Sequence, residues 1–172
     1  ETLGAAVLDA LGVRAPATVS TRRGVLMMEH LDGVTGSESG VGAIVPESIA
    51  GSADGVRMGL ADLVMLNTDR NAGNWLIQGD RLAGLDHGCA FHNLTLPRGV
   101  ADFDFPFARF AIEQVGGKFQ LRSEFSLPAE VNLAEIRAAL EGLRDSFEQA
   151  GRGAWHRRMM ERLAEIERRV KS

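Results

Sequence analysis

Two short apolar runs, "NWLIQ" and "RLAGLD", stand on either side of Gly79-Asp80. Gly and Asp tolerate the positive φ of a two-residue turn, so the stretch reads as two antiparallel strands closed into a hairpin. Upstream, "ADGVRMGLADLVMLN" sets Val56, Leu60, Leu63 and Val64 on one helical face, with Ser52 or Asp54 as its cap. A helix with a buried face, a polar loop and a hairpin thus follow one another directly. The loop lies where two apolar elements end, which is where a rigid scaffold presents polar groups. It carries Asp69 and Asn74, five residues apart, and the second strand ends at Asp86. A hairpin returns its second strand alongside the first, so Asp86 comes back towards Asn74.

The flanking sequence adds helices at both ends. "ETLGAAVLDALGV" spaces Leu3, Val7, Leu8 and Leu11 as a helix does, and Gly12 stands where a C-cap belongs. "PATVSTRRGVLMMEHL" reads as two strands joined at Arg23-Gly24. The run from Asp32 to Asp54 is rich in Gly and Ser and reads as a long loop with a short helix near Pro46. After an irregular run from Cys89 to Gly99, "FDFPFARFAIEQV" leads into a helix expected to start near Pro106. Further on, Asn132 and Glu135 make a capping-box-like start, followed by the stripe Ile136, Leu140, Leu143 and Phe147. Gly151 and Gly153 break that helix. A last one follows with Trp155, Met159, Leu163, Ile166 and Val170 on its apolar side, and arginines such as Arg158 and Arg162 on an expected solvated side.

A chain of 172 residues is long enough for one domain with a hydrophobic core and short for two, and no linker or repeat divides it. A net charge of −4 with 24% charged residues gives no general attraction to nucleic acid or acidic membranes. No apolar run approaches the roughly 20 residues that span a bilayer, so no transmembrane segment is expected, and no signal peptide opens the chain. Cys89 is the single cysteine and has no partner for an internal disulfide, which makes a reducing cytoplasm the expected location. The chain opens on Glu1 and not on methionine, and reads as a fragment, a processed product or a trimmed chain.

Asp69, Asn74 and Asp86 are hard oxygen donors, the type that suits Mg²⁺, which completes its shell with waters and substrate phosphates. One carboxylate and one amide oxygen converging on a point leave the other carboxylate, Asp69, to orient an attacking hydroxyl. Positioning, charge neutralisation and a proton acceptor are what phosphoryl transfer requires. The bland alternative is that Asp69, Asn71 and Asn74 merely hold turns by side-chain-to-backbone bonds, as these residues readily do. A calcium loop fits less well: "DRNAGN" places its glycine one position early, although Asp80 falls at the twelfth. Zinc lacks a fourth ligand spaced to match His87, Cys89 and His92. No Gly-x-Ser-x-Gly arrangement supports a serine nucleophile. Arg70 either approaches a phosphate or braces the loop against a carboxylate, and bracing is the expectation.

The order Asp-x-x-x-x-Asn followed by Asp-x-Gly, in "NTDRNAGNWL" and "GLDHGCAF", resembles the protein-kinase-like superfamily. The wording is most similar to its atypical branch, the phosphatidylinositol 3/4-kinase-like proteins and the secretory-pathway kinases, in which Asp-Arg-x-x-x-Asn replaces His-Arg-Asp. The resemblance implies an α+β, protein-kinase-like fold: residues 1–31 as a partial small lobe and hinge, and 32–172 as a mainly helical large lobe with the catalytic hairpin. It makes Asp69 the catalytic base and Asn74 and Asp86 the Mg²⁺ ligands, with His87 where many relatives have Phe. "VLMMEHLDG" resembles the hinge that binds adenine through backbone groups, at Met28, Glu29, His30 and Leu31. Glu1 stands near the helical glutamate that pairs with the family's nucleotide-binding lysine.

What the resemblance implies is an ATP-dependent kinase acting on a hydroxyl acceptor, whether lipid, protein, peptide or small molecule, with ATP and Mg²⁺ as cofactors. One departure stands against it. The family clamps nucleotide phosphates with a glycine-rich strand pair and a lysine, and no lysine occurs before Lys118. "GVTGSESGVG" follows the hinge and lacks a P-loop ending, so it reads as a loop. Either the upstream part of the small lobe lies outside this chain, which is the expectation, or the protein is a catalytically weak module that binds nucleotide or a protein partner. An AMP-transferring enzyme on the same fold is a further alternative.

Overall fold

The computed structural model describes residues 2–20, 26–41, 45–91 and 105–171. Its elements mix helices with small antiparallel sheets, an α+β architecture. The chain opens with α1 (Thr2–Ala10), which buries Val7 and Leu8 and ends, as its glycine signals, at Gly12 with φ +76°. Strands β1 (Thr18–Ser20) and β2 (Leu26–Met28) pair antiparallel; the expected turn at Arg23-Gly24 lies outside the described residues.

The long Gly/Ser-rich run holds more structure than its composition suggests. It contains β3 (Val34–Thr35), which was not expected, and the short α2 (Glu47–Ala50), the helix expected near Pro46. Helix α3 (Ala53–Met65) follows, with Ser52 as its N-cap accepting from the Gly55 N–H. The expected single buried face understates α3. Val56, Met58, Leu60, Leu63, Val64 and Met65 are all buried, and its glycines admit neighbouring backbone on other sides. A Cβ at Gly59 would meet the Phe107 carbonyl oxygen at 2.3 Å, and one at Gly55 the Ile49 carbonyl oxygen at 2.2 Å. Helix α3 is thus the central rod of the core.

Strands β4 (Trp75–Gln78) and β5 (Arg81–Gly84) form the expected hairpin about Gly79, with Leu76 opposite Ala83. Strand β3 pairs with the other edge of β4, giving the order β3-β4-β5. The helix expected near Pro106 is not formed. Residues 105–111 make turns that bury Phe105, Phe107 and Ala108, and then β6 (Ile112–Val115) pairs with β7 (Lys118–Leu121). The physical reason is Gly116-Gly117: both have positive φ, 58° and 73°, the backbone a two-residue hairpin turn demands.

The C-terminal stripe is divided. Helix α4 (Leu133–Glu141) is capped by Asn132, whose Oδ1 accepts from the Ala134 and Glu135 N–H groups while its amide donates to Glu135. It ends before Gly142, and α5 (Arg144–Gln149) carries Phe147 into the same core. Helix α6 (Gly153–Glu167) buries Met159, Leu163 and Ile166 against α3, α4 and α5. Arg158 pairs with Glu161 on the surface, as a solvated side requires, but Arg162 does not fit that expectation. Its guanidinium donates to the Val64 carbonyl at 2.8 Å, at the C-terminal end of α3 where carbonyls lack helical partners. Residues of α1, α3, α4, α5 and α6 share one core, and among the described residues no helix is long and apolar enough to cross a membrane.

Candidate functional site

Helix α3 stops at Leu66, whose φ of 49° turns the chain out of the helix and into the loop that ends at Asn74. Two bonds shape this loop from within. The Asn71 side-chain oxygen accepts from the Gly73 N–H at 2.9 Å, and its amide donates to Asp69 Oδ1 at 2.9 Å. Turn-holding of the kind these residues favour is therefore real at Asn71. Asn74 is used differently. Its Nδ2 donates to the Asp69 carbonyl at 2.7 Å, which fixes the amide nitrogen on the loop and leaves Oδ1 as the side chain's acceptor.

Asp86 sits two residues beyond the last paired residue of β5, Gly84. The Leu85 N–H donates to the Asn74 carbonyl at 2.9 Å, so the returning strand brings Asp86 beside Asn74. Asp86 is exposed and holds φ at 39°, an uncommon conformation for a residue with a side chain. Its Oδ1 accepts from the Gly88 N–H at 3.0 Å. Three residues on from Asp86, the exposed Cys89 sulfur lies 3.9 Å from Asp69 Oδ2. Partial burial pushes the Cys89 thiol up, and the negative charges of Asp69 and then Asp86 push it further. One sulfur thus lies within the fields of both carboxylates.

Behind this rim is a buried charge. Arg70 is fully enclosed and meets the Asp62 carboxylate at 2.8 Å, so it braces the loop, as expected. Burial pushes the Asp62 carboxyl up, against the lowering influence of Arg70 and the Asn67 amide. His87, which follows Asp86, turns inward to rest on α1, where a Cβ at Gly4 would lie 2.4 Å from the His87 Cβ. Burial, and next the Arg70 charge, hold its pKa down at about 3, so the ring is neutral at physiological pH. Asp62 and Leu76 did not stand out in the sequence, and Cys89 did so only as a lone thiol and as part of an incomplete zinc set. The signal for Asp62 was a charged residue inside an apolar helical run.

The hinge-like residues begin at the end of β2, in the separate two-stranded β1-β2 sheet, and run on towards β3. Glu29 accepts from the Ala17 N–H and pairs with Arg14 at 3.1 Å, both exposed, and these bonds hold its carboxyl below the usual range. Met28 is half exposed, and exposed His30 faces Asp32 at 3.7 Å. Leu31 turns in and joins Leu76 and Ala83, with Leu85 packed beside them, in a small apolar cluster separate from the main core. Gln78 donates to the Asp32 carbonyl, tying the hinge-like segment to β4. Glu1 and His92 lie outside the described residues.

The hard oxygens that suit a divalent cation here are Asn74 Oδ1 and the Asp86 carboxylate. Among the described residues no group of three or more His, Cys, Asp or Glu side chains is placed to hold a metal without help. Compared with models of known families, with curated proteins and with solved structures, the chain matches none.

Proposed function

We propose that this protein is an ATP-dependent phosphotransferase with a protein-kinase-like site, acting on a hydroxyl-bearing acceptor. The observation that carries the reading is the rim itself: Asp69 and Asp86 flank one sulfur while the Asn74 amide is anchored to the Asp69 main chain. The strained φ of Asp86 supports it, because backbone strain at an exposed carboxylate is retained where a side chain must be aimed.

In this reading Asn74 Oδ1 and Asp86 hold Mg²⁺, whose chemistry is to neutralise phosphate charge. Asp69 orients the acceptor hydroxyl and takes its proton as the oxygen attacks the γ-phosphorus. The bond from that phosphorus to the β–γ bridging oxygen breaks, and ADP leaves. In this reading the base would rest against the segment Met28–Leu31, whose Leu31 packs with Leu76, Ala83 and Leu85. Residues 1–31 then belong to the small lobe and hinge, and 32–172 to the large lobe.

The test is incubation with γ-labelled and α-labelled ATP and candidate acceptors. Label transferred from the γ position supports the reading, and transfer from the α position alone replaces it with adenylyl transfer. Asp69→Ala is expected to abolish turnover with nucleotide binding largely intact, and Asp86→Ala to lose Mg²⁺-dependent nucleotide binding. Full activity in either variant overturns the assigned roles. One observation favours a second reading, a nucleotide-binding module without turnover: no lysine precedes Lys118. Nucleotide binding with no transfer to any acceptor would select it.

A further inference from the structure

We propose that Arg70 is a positioning residue that sets the separation of Asn74 and Asp86 by joining the main chains on which they stand. The inference rests on the phosphotransfer reading for its consequence, but its geometry is independent of that reading. A guanidinium has five N–H bonds, and each finds an acceptor here. Nη1 donates to the Asn74 carbonyl at 2.8 Å and to the Leu85 carbonyl at 2.6 Å. Nε and Nη2 donate to the Asp62 carboxylate, and the remaining Nη2 bond faces His87 Nδ1 at 3.3 Å.

The consequence follows from which groups these are. One nitrogen bridges the carbonyl of Asn74 itself and the carbonyl of the residue before Asp86. The same guanidinium meets the ring after Asp86, and its own backbone follows Asp69. Asp62, near the C-terminal end of the central helix, aims the fork. Close packing secures the arrangement, since a Cβ at Gly84 would fall 2.5 Å from Leu8 and 3.5 Å from Arg70 Nη1. The hairpin alone ties these strands with the Leu85-to-Asn74 bond at its open end. Without the guanidinium, that open end is free to splay, and the two oxygens lose a fixed distance.

Lysine keeps the charge but has three donors on a flexible stem and no planar fork, so Arg70→Lys separates charge from geometry. Two readouts are taken on the full chain. The first is hydrogen exchange at the Leu85 amide, compared with Leu60 and Leu63 in α3. The second is the Mg²⁺ concentration giving half-maximal ATP binding. The expected result is a selective loss of protection at Leu85, with the Mg²⁺ midpoint raised about 10-fold to 100-fold, as for other residues that hold metal ligands in place. ATP binding without Mg²⁺ should not change.

A uniform loss of protection with an unmoved Mg²⁺ midpoint overturns the proposal and leaves Arg70 a structural residue only. If the unaltered protein shows no Mg²⁺-dependent ATP binding, the phosphotransfer reading fails, and the exchange pattern alone still decides whether Arg70 holds the strand ends. Should Arg70→Lys fail to fold, Asp62→Asn is measured in the same way. It leaves the fork in place without its charged support, and a smaller but equally local loss of protection is expected.

Discussion

Around Arg70 the chain buries its charge, and along α5 it keeps charge outside. The Arg70–Asp62 side chains are 0% and 1% exposed at 2.8 Å, while Arg144 and Glu148 on α5 are 71% and 61% exposed at 3.8 Å. Both are Arg–carboxylate pairs, yet their settings give them different jobs. Taking two charges out of water costs several kcal/mol per ion, so a buried pair is poor value for stability alone. What it supplies is fixed direction: five hydrogen bonds from one rigid group. The helical region obtains its order from apolar burial instead, with Leu140, Phe147, Met159 and Leu163 fully enclosed.

The sharpest way to break this contrast is to remove one partner of the buried pair. Arg70→Met leaves Asp62 buried with its charge uncompensated and should lower stability by about 3–5 kcal/mol, read from chemical denaturation. Adding Asp62→Leu should recover much of that loss, because an apolar pair of similar volume avoids the desolvation cost. Recovery of stability without recovery of Mg²⁺-dependent ATP binding would sharpen the contrast further. It would separate what the pair does for folding from what it does for the site.

A smaller effect is expected from pH. The His87 ring has a pKa of about 3 in the folded chain against an ordinary value near 6.5. The unfolded chain therefore takes up the proton first as pH falls. Stability from this group is complete above about pH 6.5, declines below it, and levels off near pH 3. Between pH 7 and pH 5 the loss is about 2 kcal/mol. His87→Gln should flatten that part of the pH–stability curve, and an unchanged slope would show that another group causes it.

The two regions also differed in how far the sequence revealed them. The α4 cap was legible because Asn132 and Glu135 act on their own neighbours, and the β4–β5 hairpin because Gly79-Asp80 closes it locally. The β6–β7 hairpin escaped although Gly116-Gly117 carries the same kind of signal, since the aromatic run before it suggested a helix. Asp69, Asn74 and Asp86 could be singled out by type and spacing. Arg70 could be read as their brace, but not the carboxylate that it meets. Asp62 and Arg70 are eight residues apart across a helix end, and Arg162 reaches Val64 from 98 residues away. Those contacts depend on how elements pack, which no local pattern encodes.

The smallest expected effect tests the outside of the molecule. Arg144 opens α5, where the partial positive charge of the helix N-terminus opposes a cation, and its partner Glu148 stands one turn on. An exposed pair at this spacing contributes about 0.3–0.5 kcal/mol, and the unfavourable helix end cancels part of it. Ala is at least as good a helix former as Arg. Arg144→Ala should therefore change stability by less than about 0.5 kcal/mol, seen as an almost unmoved denaturation midpoint with the same slope. A loss above about 1 kcal/mol would be too large for a solvated pair. It would mean that this face is covered by something in solution, and that charge on the helices is held as purposefully as it is at Arg70.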